Sequence, residues 1–155
     1  MSNSEQNNLP CILVSACLLG IACRYDGRSY LDERIASLSK HHLLVPVCPE
    51  QLGGLATPRP AAEIVRGRVL TQRGDDITPA FLKGAQQALL IGQRTGYTMA
   101  ILQPRSPSCG VHSIYDGTFS QRLIRGQGIF AALLTRSGIL VCEPENLPTK
   151  LIPPL

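Results

Sequence analysis

The chain is predicted to be an α/β protein with one mainly parallel, doubly wound sheet of about four strands, flanking helices and a small hairpin. Two observations predict it. First, short apolar runs alternate with segments of helical spacing, the pattern of βαβ units joined by right-handed crossovers. Second, three of those runs lead into a cysteine: Ile12-Leu13-Val14-Ser15-Ala16-Cys17, Leu43-Leu44-Val45-Pro46-Val47-Cys48, and Met99-Ala100-Ile101-Leu102 before Ser106-Pro107-Ser108-Cys109-Gly110. Thiols delivered to the carboxyl ends of strands sit at the edge where open α/β sheets bind ligands. Together these give a compact, Rossmann-like arrangement.

Residues 11–16, β-branched and apolar, read as the first strand, and 17–30 as a glycine-containing loop. Residues 31–41 read as a helix, with Leu31, Ile35 and Leu38 on one face and Asp32 and Glu33 suited to its first turn. Residues 43–47 are the second strand. The segment 48–60 is so rich in proline and glycine that a shaped loop is expected. Residues 62–71 alternate on either side of Arg66-Gly67 as a hairpin does. A helix is expected from Thr78, as N-cap, and Pro79 to about Arg94, stopped by Gly96. Residues 97–102 are the third strand, 103–118 a second long loop with a turn at Tyr115-Asp116-Gly117-Thr118, 129–136 the last helix and 139–142 the fourth strand. One domain over 11–148 is expected, between a disordered tail (1–10) and a C-terminal tail (149–155).

With 155 residues, 44% of them hydrophobic and 17% charged, the chain suits one globular core. No apolar run is long enough to span a bilayer, and the polar start is unlike a signal peptide. The net charge of +4 is mild, its arginines are dispersed, aromatics are 5% and Trp is absent, so no platform for stacking single-stranded nucleic acid is expected. A small polar or anionic ligand is the expected partner, with no membrane and no direct nucleic-acid binding, in a cytoplasmic monomer or homodimer. Six cysteines without a secretion signal point to metal binding or reactivity rather than disulfides.

Cys17, Cys48 and Cys109 are the candidate metal ligands. They are far apart in sequence and no Cys-x-x-Cys pair occurs, which disfavours a closed structural zinc site. Three thiolates leave one position open, on an iron of a cluster or as a water site on zinc. Buried packing of small apolar thiols is the plain alternative. Cys11 begins a strand and would face the wrong edge, Cys142 fits core packing better than the site, and Cys23 is a neighbouring thiol or fourth ligand. Glu50, two residues past Cys48, is a candidate general base or acid, with pairing to Arg59 as the rival reading. Ser106 and Ser108 are candidate substrate or sulfur donors, or simply shape their turn. Ser15 is a candidate buried donor. Arg24, Tyr25 and Asp26 are candidate ligand contacts, and Arg59 and Arg105 candidate anion clamps. His41, His42 and His112 are read as structural. Arg125-Gly126-Gln127-Gly128 before a helix is a weak anion-site signal; no dinucleotide fingerprint or P-loop occurs.

Val14–Gly20 with Cys23–Gly27, Pro46–Leu55 with Thr57–Pro60, and Ser106–Gly110 with Tyr115–Phe119 resemble the thiouracil desulfidase family, long classed as a bacterial domain of unknown function. The resemblance covers roughly residues 11–145 and implies the short single-domain form. It implies a 4Fe-4S cluster on Cys17, Cys48 and Cys109, whose remaining iron takes the sulfur of a thiolated pyrimidine. Water replaces that sulfur without net redox change, converting 2-thiouracil to uracil and sulfide. It also implies Glu50 and Ser106 as catalytic groups, with Ser108 as the alternative to Ser106. Many relatives carry a Lys where this chain has Leu102-Gln103-Pro104-Arg105, so Arg105 is a candidate for altered substrate preference. The rival readings are a non-catalytic iron–sulfur or metal-binding module in sulfur trafficking and a plain α/β binding domain with core thiols.

Overall fold

In the computed structural model, which describes residues 9–151, the first apolar run is β1 (Cys11–Ser15), buried along its whole length. A 3-10 turn, Ala16–Leu19, carries Cys17 and ends at Gly20. Helix α1 (Glu33–Ser37) starts where the Asp32 carboxylate accepts the N–H groups of Arg34 (3.0 Å) and Ile35 (3.4 Å). It is shorter than the expected 31–41 helix, because its last residues tighten into a 3-10 turn at Leu38–Lys40. Then come β2 (Leu43–Val47) and α2 (Pro49–Leu52), a single turn inside the expected loop, with Pro49 supplying the preset φ of a first helical residue.

The hairpin is β3 (Ala62–Val65) and β4 (Arg68–Thr71), closed by Arg66 and Gly67, both at positive φ as a two-residue hairpin turn requires. Helix α3 (Thr78–Thr95) ends at Gly96 as expected, but Thr78 is not its N-cap. Thr78 is already helical; its Oγ1 accepts the Val69 N–H and its own N–H goes to Asp76 Oδ1, while Ile77 holds the N-cap position without a side-chain cap bond. Strand β5 is Tyr97–Ile101. The expected second loop holds half of another hairpin, β6 (Ser113–Tyr115) with β7 (Leu123–Arg125). Helix α4 (Ile129–Arg136) and β8 (Leu140–Cys142) follow.

The strand order is β2-β1-β5-β8, with every pair in this sheet parallel. One face, through Ile12, Val14, Met99 and Ile101, packs on Leu18, Ile35, Leu38 and Leu151. The other, through Leu13, Val47, Ala100 and Leu102, packs on Ala85 and Ala88 of α3 and Phe130, Ala131 and Leu134 of α4. Each large side chain so buried contributes roughly 1.5–3 kcal/mol. This is the doubly wound arrangement expected.

The packed region reaches past 11–148 at both ends: the Pro10 carbonyl accepts the Leu43 N–H, and Leu151 is buried in a final 3-10 turn. The remainder of the two expected tails, residues 1–8 and 152–155, lies outside the described residues. Among the described residues no helix is long and apolar enough to cross a membrane.

Candidate active site at the sheet's switch point

From β1 the chain moves to β2 on one side and later to β5 on the other, so the strand order reverses beside β1. A crevice forms at the carboxyl ends of strands at such a point, and open α/β sheets bind ligands there. Cys17 follows β1, Cys48 follows β2, and Gln103 and the loop to Cys109 follow β5.

Cys17, Cys23 and Cys109 are buried and Cys48 is half-buried, all as free thiols. The Cys17 thiol donates to Gln103 Oε1 at 3.6 Å and the Cys48 thiol to the Cys23 carbonyl at 3.7 Å. Contact with Cys17, and then burial, pushes the Cys23 thiol up to about 11, with Cys48 pulling the other way. The Cys23 thiol beside it, followed by burial, drives Cys48 well above the ordinary thiol range. Burial pushes the Cys109 thiol up to about 12; the Ser15 hydroxyl opposes this, and the nearby Cys48 and Glu50 add to it. One locus therefore holds Cys17, Cys23 and Cys48, with Cys109 close to Cys48, Glu50 and Ser15. Cys23 belongs among the thiols. Cys142 does not: its S–H is directed to the Ala100 carbonyl at 3.7 Å in the core. Cys11 is buried at the opposite end of β1.

Glu50 lies in the first turn of α2, and two glycines set the position of that turn. A Cβ on Gly84 would stand 1.7 Å from the Pro49 carbonyl oxygen, and one on Gly53 2.0 Å from that of Ala80, so α2 and α3 touch backbone to backbone. The Glu50 carboxylate accepts Arg59 Nε at 3.0 Å. Arg59 also donates to Thr57 Oγ1 (2.8 Å), the Ala56 carbonyl (3.2 Å) and the Cys23 carbonyl (2.8 Å), and its own N–H reaches the Tyr25 carbonyl (2.8 Å). With its side chain 6% exposed and all three of its nitrogens hydrogen-bonded, Arg59 joins the two cysteine-bearing loops and orients Glu50. Pairing, the rival reading of Glu50, is thus present, and it leaves Glu50 beside the thiols.

Ser106 Oγ accepts the N–H groups of Ser108 (3.1 Å) and Cys109 (3.0 Å), which folds the turn that presents Cys109. The same turn caps α4: the Pro107 and Ser108 carbonyls accept the N–H groups of Ile129 and Phe130, each at 2.8 Å. A Cβ on Gly128 would lie 2.4 Å from the Ser108 carbonyl carbon, so glycine there permits the close seat. These bonds consume the first α4 amides, so the weak anion-site signal at Arg125–Gly128 has no free amides behind it. The Glu143 carboxylate closes the far side of the loop by accepting the Val111 N–H at 2.9 Å. Ser108, 1% exposed, has an Oγ with no hydrogen-bond partner among the described residues, although it lies close enough to the Cys109 thiol to oppose the effect of burial there.

The 2-thiouracil desulfurase family model matches residues 12–146. The chain belongs to that family. It is 40% identical over 146 residues to the uncharacterized protein YbbK of Bacillus subtilis (strain 168), covering 88% of this chain and 97% of the relative. A solved structure described as the 4Fe-4S-dependent thiouracil desulfidase TudS superposes with a TM-score of 0.85 at 42% identity, covering 90% of this chain and 93% of that one.

The other expected contacts of this desulfurase-family chain lie around the first loop. The Arg24 guanidinium stacks over Tyr30, 5.7 Å from the ring centroid, Tyr25 is exposed, and Asp26 Oδ1 accepts the Arg28 N–H within its turn. Arg105 is exposed at φ 65°, on a shallow cleft with His112, Glu143 and Asn146 whose lining includes none of the thiols. His42 stays local, its Nδ1 3.3 Å from the Leu38 carbonyl. Gln103 was not singled out by the sequence. The signal was there, since it is the second residue past β5, at the same edge as the cysteines.

The residues fit an iron–sulfur cluster by donor chemistry: soft thiols, a partnerless buried hydroxyl and a nearby carboxylate. Among the described residues no three His, Cys, Asp or Glu side chains converge on one point as ligands of a single ion do. A cluster asks for something different, because each thiolate takes its own iron.

Proposed function

We propose that this chain is a cytoplasmic desulfidase that converts 2-thiouracil, or a related thiolated pyrimidine, to uracil and sulfide, with Cys17, Cys48 and Cys109 holding a 4Fe-4S cluster. The observation that carries the reading is the meeting of thiols from three strand ends with the Arg59-held Glu50 carboxylate at the switch point. The solved relative is 4Fe-4S-dependent by its description, which supports the cofactor.

The reaction exchanges atoms without redox change: the ring C=S and water become C=O and hydrogen sulfide. When bound, the cluster supplies a soft Lewis acid, with one iron free of protein ligands for the substrate's sulfur. The rest falls to side chains. Glu50 accepts a proton from the attacking water and returns it to the departing sulfur. Arg59 keeps that carboxylate aimed. The Ser106 oxygen is occupied as an acceptor, yet its proton remains free to orient the substrate's polar edge. Ser108 offers its unused proton to sulfur beside Cys109. Arg24, Tyr25 and Asp26 form the rim over which the substrate enters, and Arg105 tunes preference from outside.

Incubating anaerobically loaded protein with 2-thiouracil tests the proposal. Sulfide and uracil should appear in equal amounts, and Glu50→Gln should lose on the order of 100- to 10,000-fold in rate while keeping its iron. Undiminished turnover in Glu50→Gln would remove Glu50 from the chemistry. An iron-loaded protein that releases sulfide from no thionucleobase would favour the non-catalytic sulfur-trafficking module.

A further inference from the structure

We propose that Gln103 donates a hydrogen bond from its side-chain amide to the sulfur of Cys17 when that cysteine is a cluster ligand, and so tunes the cluster electronically. The inference rests on the reading that Cys17 holds a cluster, and it concerns a residue that touches none of the reacting atoms.

The bond in the structure runs from the sulfur to the amide oxygen. Cys17, protonated, gives its S–H to Gln103 Oε1 at 3.6 Å. Ligation removes that proton, because the ligand form is the thiolate. The amide oxygen would then face an anionic sulfur with no proton between them. A half-turn of the terminal amide exchanges Oε1 for Nε2 at little cost, since that torsion is broad and roughly two-fold, and the contact becomes N–H···S. The backbone keeps the side chain in place for this exchange. The Gln103 N–H is held by Ser15 Oγ at 2.9 Å, and the Leu102 N–H by the Cys142 carbonyl at 2.8 Å. Ser15 is itself 3% exposed, so the anchor is rigid.

Ser15 and Gln103 thus join the carboxyl ends of β1 and β5 across the switch point. Hydrogen bonds to cluster sulfurs are among the protein's main controls on cluster potential. They draw charge off the ligand sulfur, which favours the reduced cluster and leaves the irons more Lewis acidic toward an incoming sulfur atom.

The test is the midpoint potential of the reconstituted cluster in wild type, Gln103→Leu and Gln103→Glu, read with the vibrational frequencies of the iron–cysteine bonds. Gln103→Leu should shift the potential to more negative values, and Gln103→Glu, which places a carboxylate against the sulfur, further in the same direction. Iron loss to a chelator should accelerate on the order of tenfold. Unchanged potentials and frequencies in loaded variants would overturn the proposal while leaving the cluster reading intact. A variant that folds but takes up no cluster would also overturn it, by making Gln103 part of the scaffold instead. Should Gln103→Leu not fold, Gln103→Glu, which keeps the shape, decides with the same sign. Wild-type protein without iron would instead defeat the underlying reading.

Discussion

Arg59 Nε donates to Glu50 Oε1 at 3.0 Å, and the same guanidinium reaches the Cys23 carbonyl at 2.8 Å. A single side chain therefore aims the candidate base and binds together the two loops that carry Cys17, Cys23 and Cys48. Arg59→Ala should cost about 2–4 kcal/mol in denaturant unfolding, because it strands a mostly buried carboxylate and a carbonyl. It should also lower kcat/KM at least tenfold. Arg59→Lys keeps the charge but not the fork, and should recover part of the stability and less of the activity.

Gly84→Ala tests the backbone contact that seats α2. The new Cβ meets the Pro49 oxygen at 1.7 Å, with no flexible side chain there to yield. Overpacking of this kind costs roughly 1–3 kcal/mol or more. Because α2 follows Cys48 and carries Glu50, iron content after reconstitution should fall along with the melting temperature.

Ser106 and Ser108 should separate cleanly. Ser106→Ala leaves the Ser108 and Cys109 N–H groups without their acceptor and should destabilise the cluster-free protein by about 1–3 kcal/mol. Ser108→Ala removes a buried hydroxyl that has no partner, so the cluster-free protein should be unchanged or up to about 1 kcal/mol more stable. The loaded Ser108→Ala enzyme should nonetheless be slower. Calorimetry of the iron-free proteins beside turnover of the loaded ones checks both.

Asp76 gives a pH signature away from the site. Hydrogen bonds from Thr78, with the Arg68 guanidinium, hold its carboxyl down to about 2, below its ordinary 3.8. A carboxyl with a depressed native pKa stabilises the fold above its unfolded value, and that contribution is lost as pH falls through the native one. Wild type should melt above Asp76→Asn near neutrality, and the gap should close between about pH 4 and pH 2. A gap that stays constant across that window would contradict the role given to Asp76.

The parts of the molecule legible from sequence were those written in local pattern. Ile12–Val14 and Met99–Ile101 announce buried strands by their apolar runs, and Arg66-Gly67 announces its hairpin by the positive φ that glycine tolerates. The strand-end cysteines were legible because a parallel sheet sends its carboxyl ends to one edge. Other features depend on tertiary contact. The β6–β7 hairpin has three-residue strands, and β7 is exposed on both faces, so it carries no periodicity to read. The N-cap of α3 falls at Ile77 and not at Thr78, whose hydroxyl oxygen is taken by the Val69 N–H of another element. The α4 amides lost their anion-binding character to the Pro107 and Ser108 carbonyls, which no local motif foretells. Gln103 is informative only once Cys17 is known to lie across from it.

The most direct measurement is the iron and acid-labile sulfide content of anaerobically reconstituted wild type beside Cys17→Ala, Cys48→Ala and Cys109→Ala. The account predicts about four irons and four sulfides per wild-type chain. Each single variant should lose most of that content and its cluster absorbance, while Cys11→Ala keeps both. A wild-type chain that takes up no iron, or a full cluster retained in any of the three variants, would contradict it.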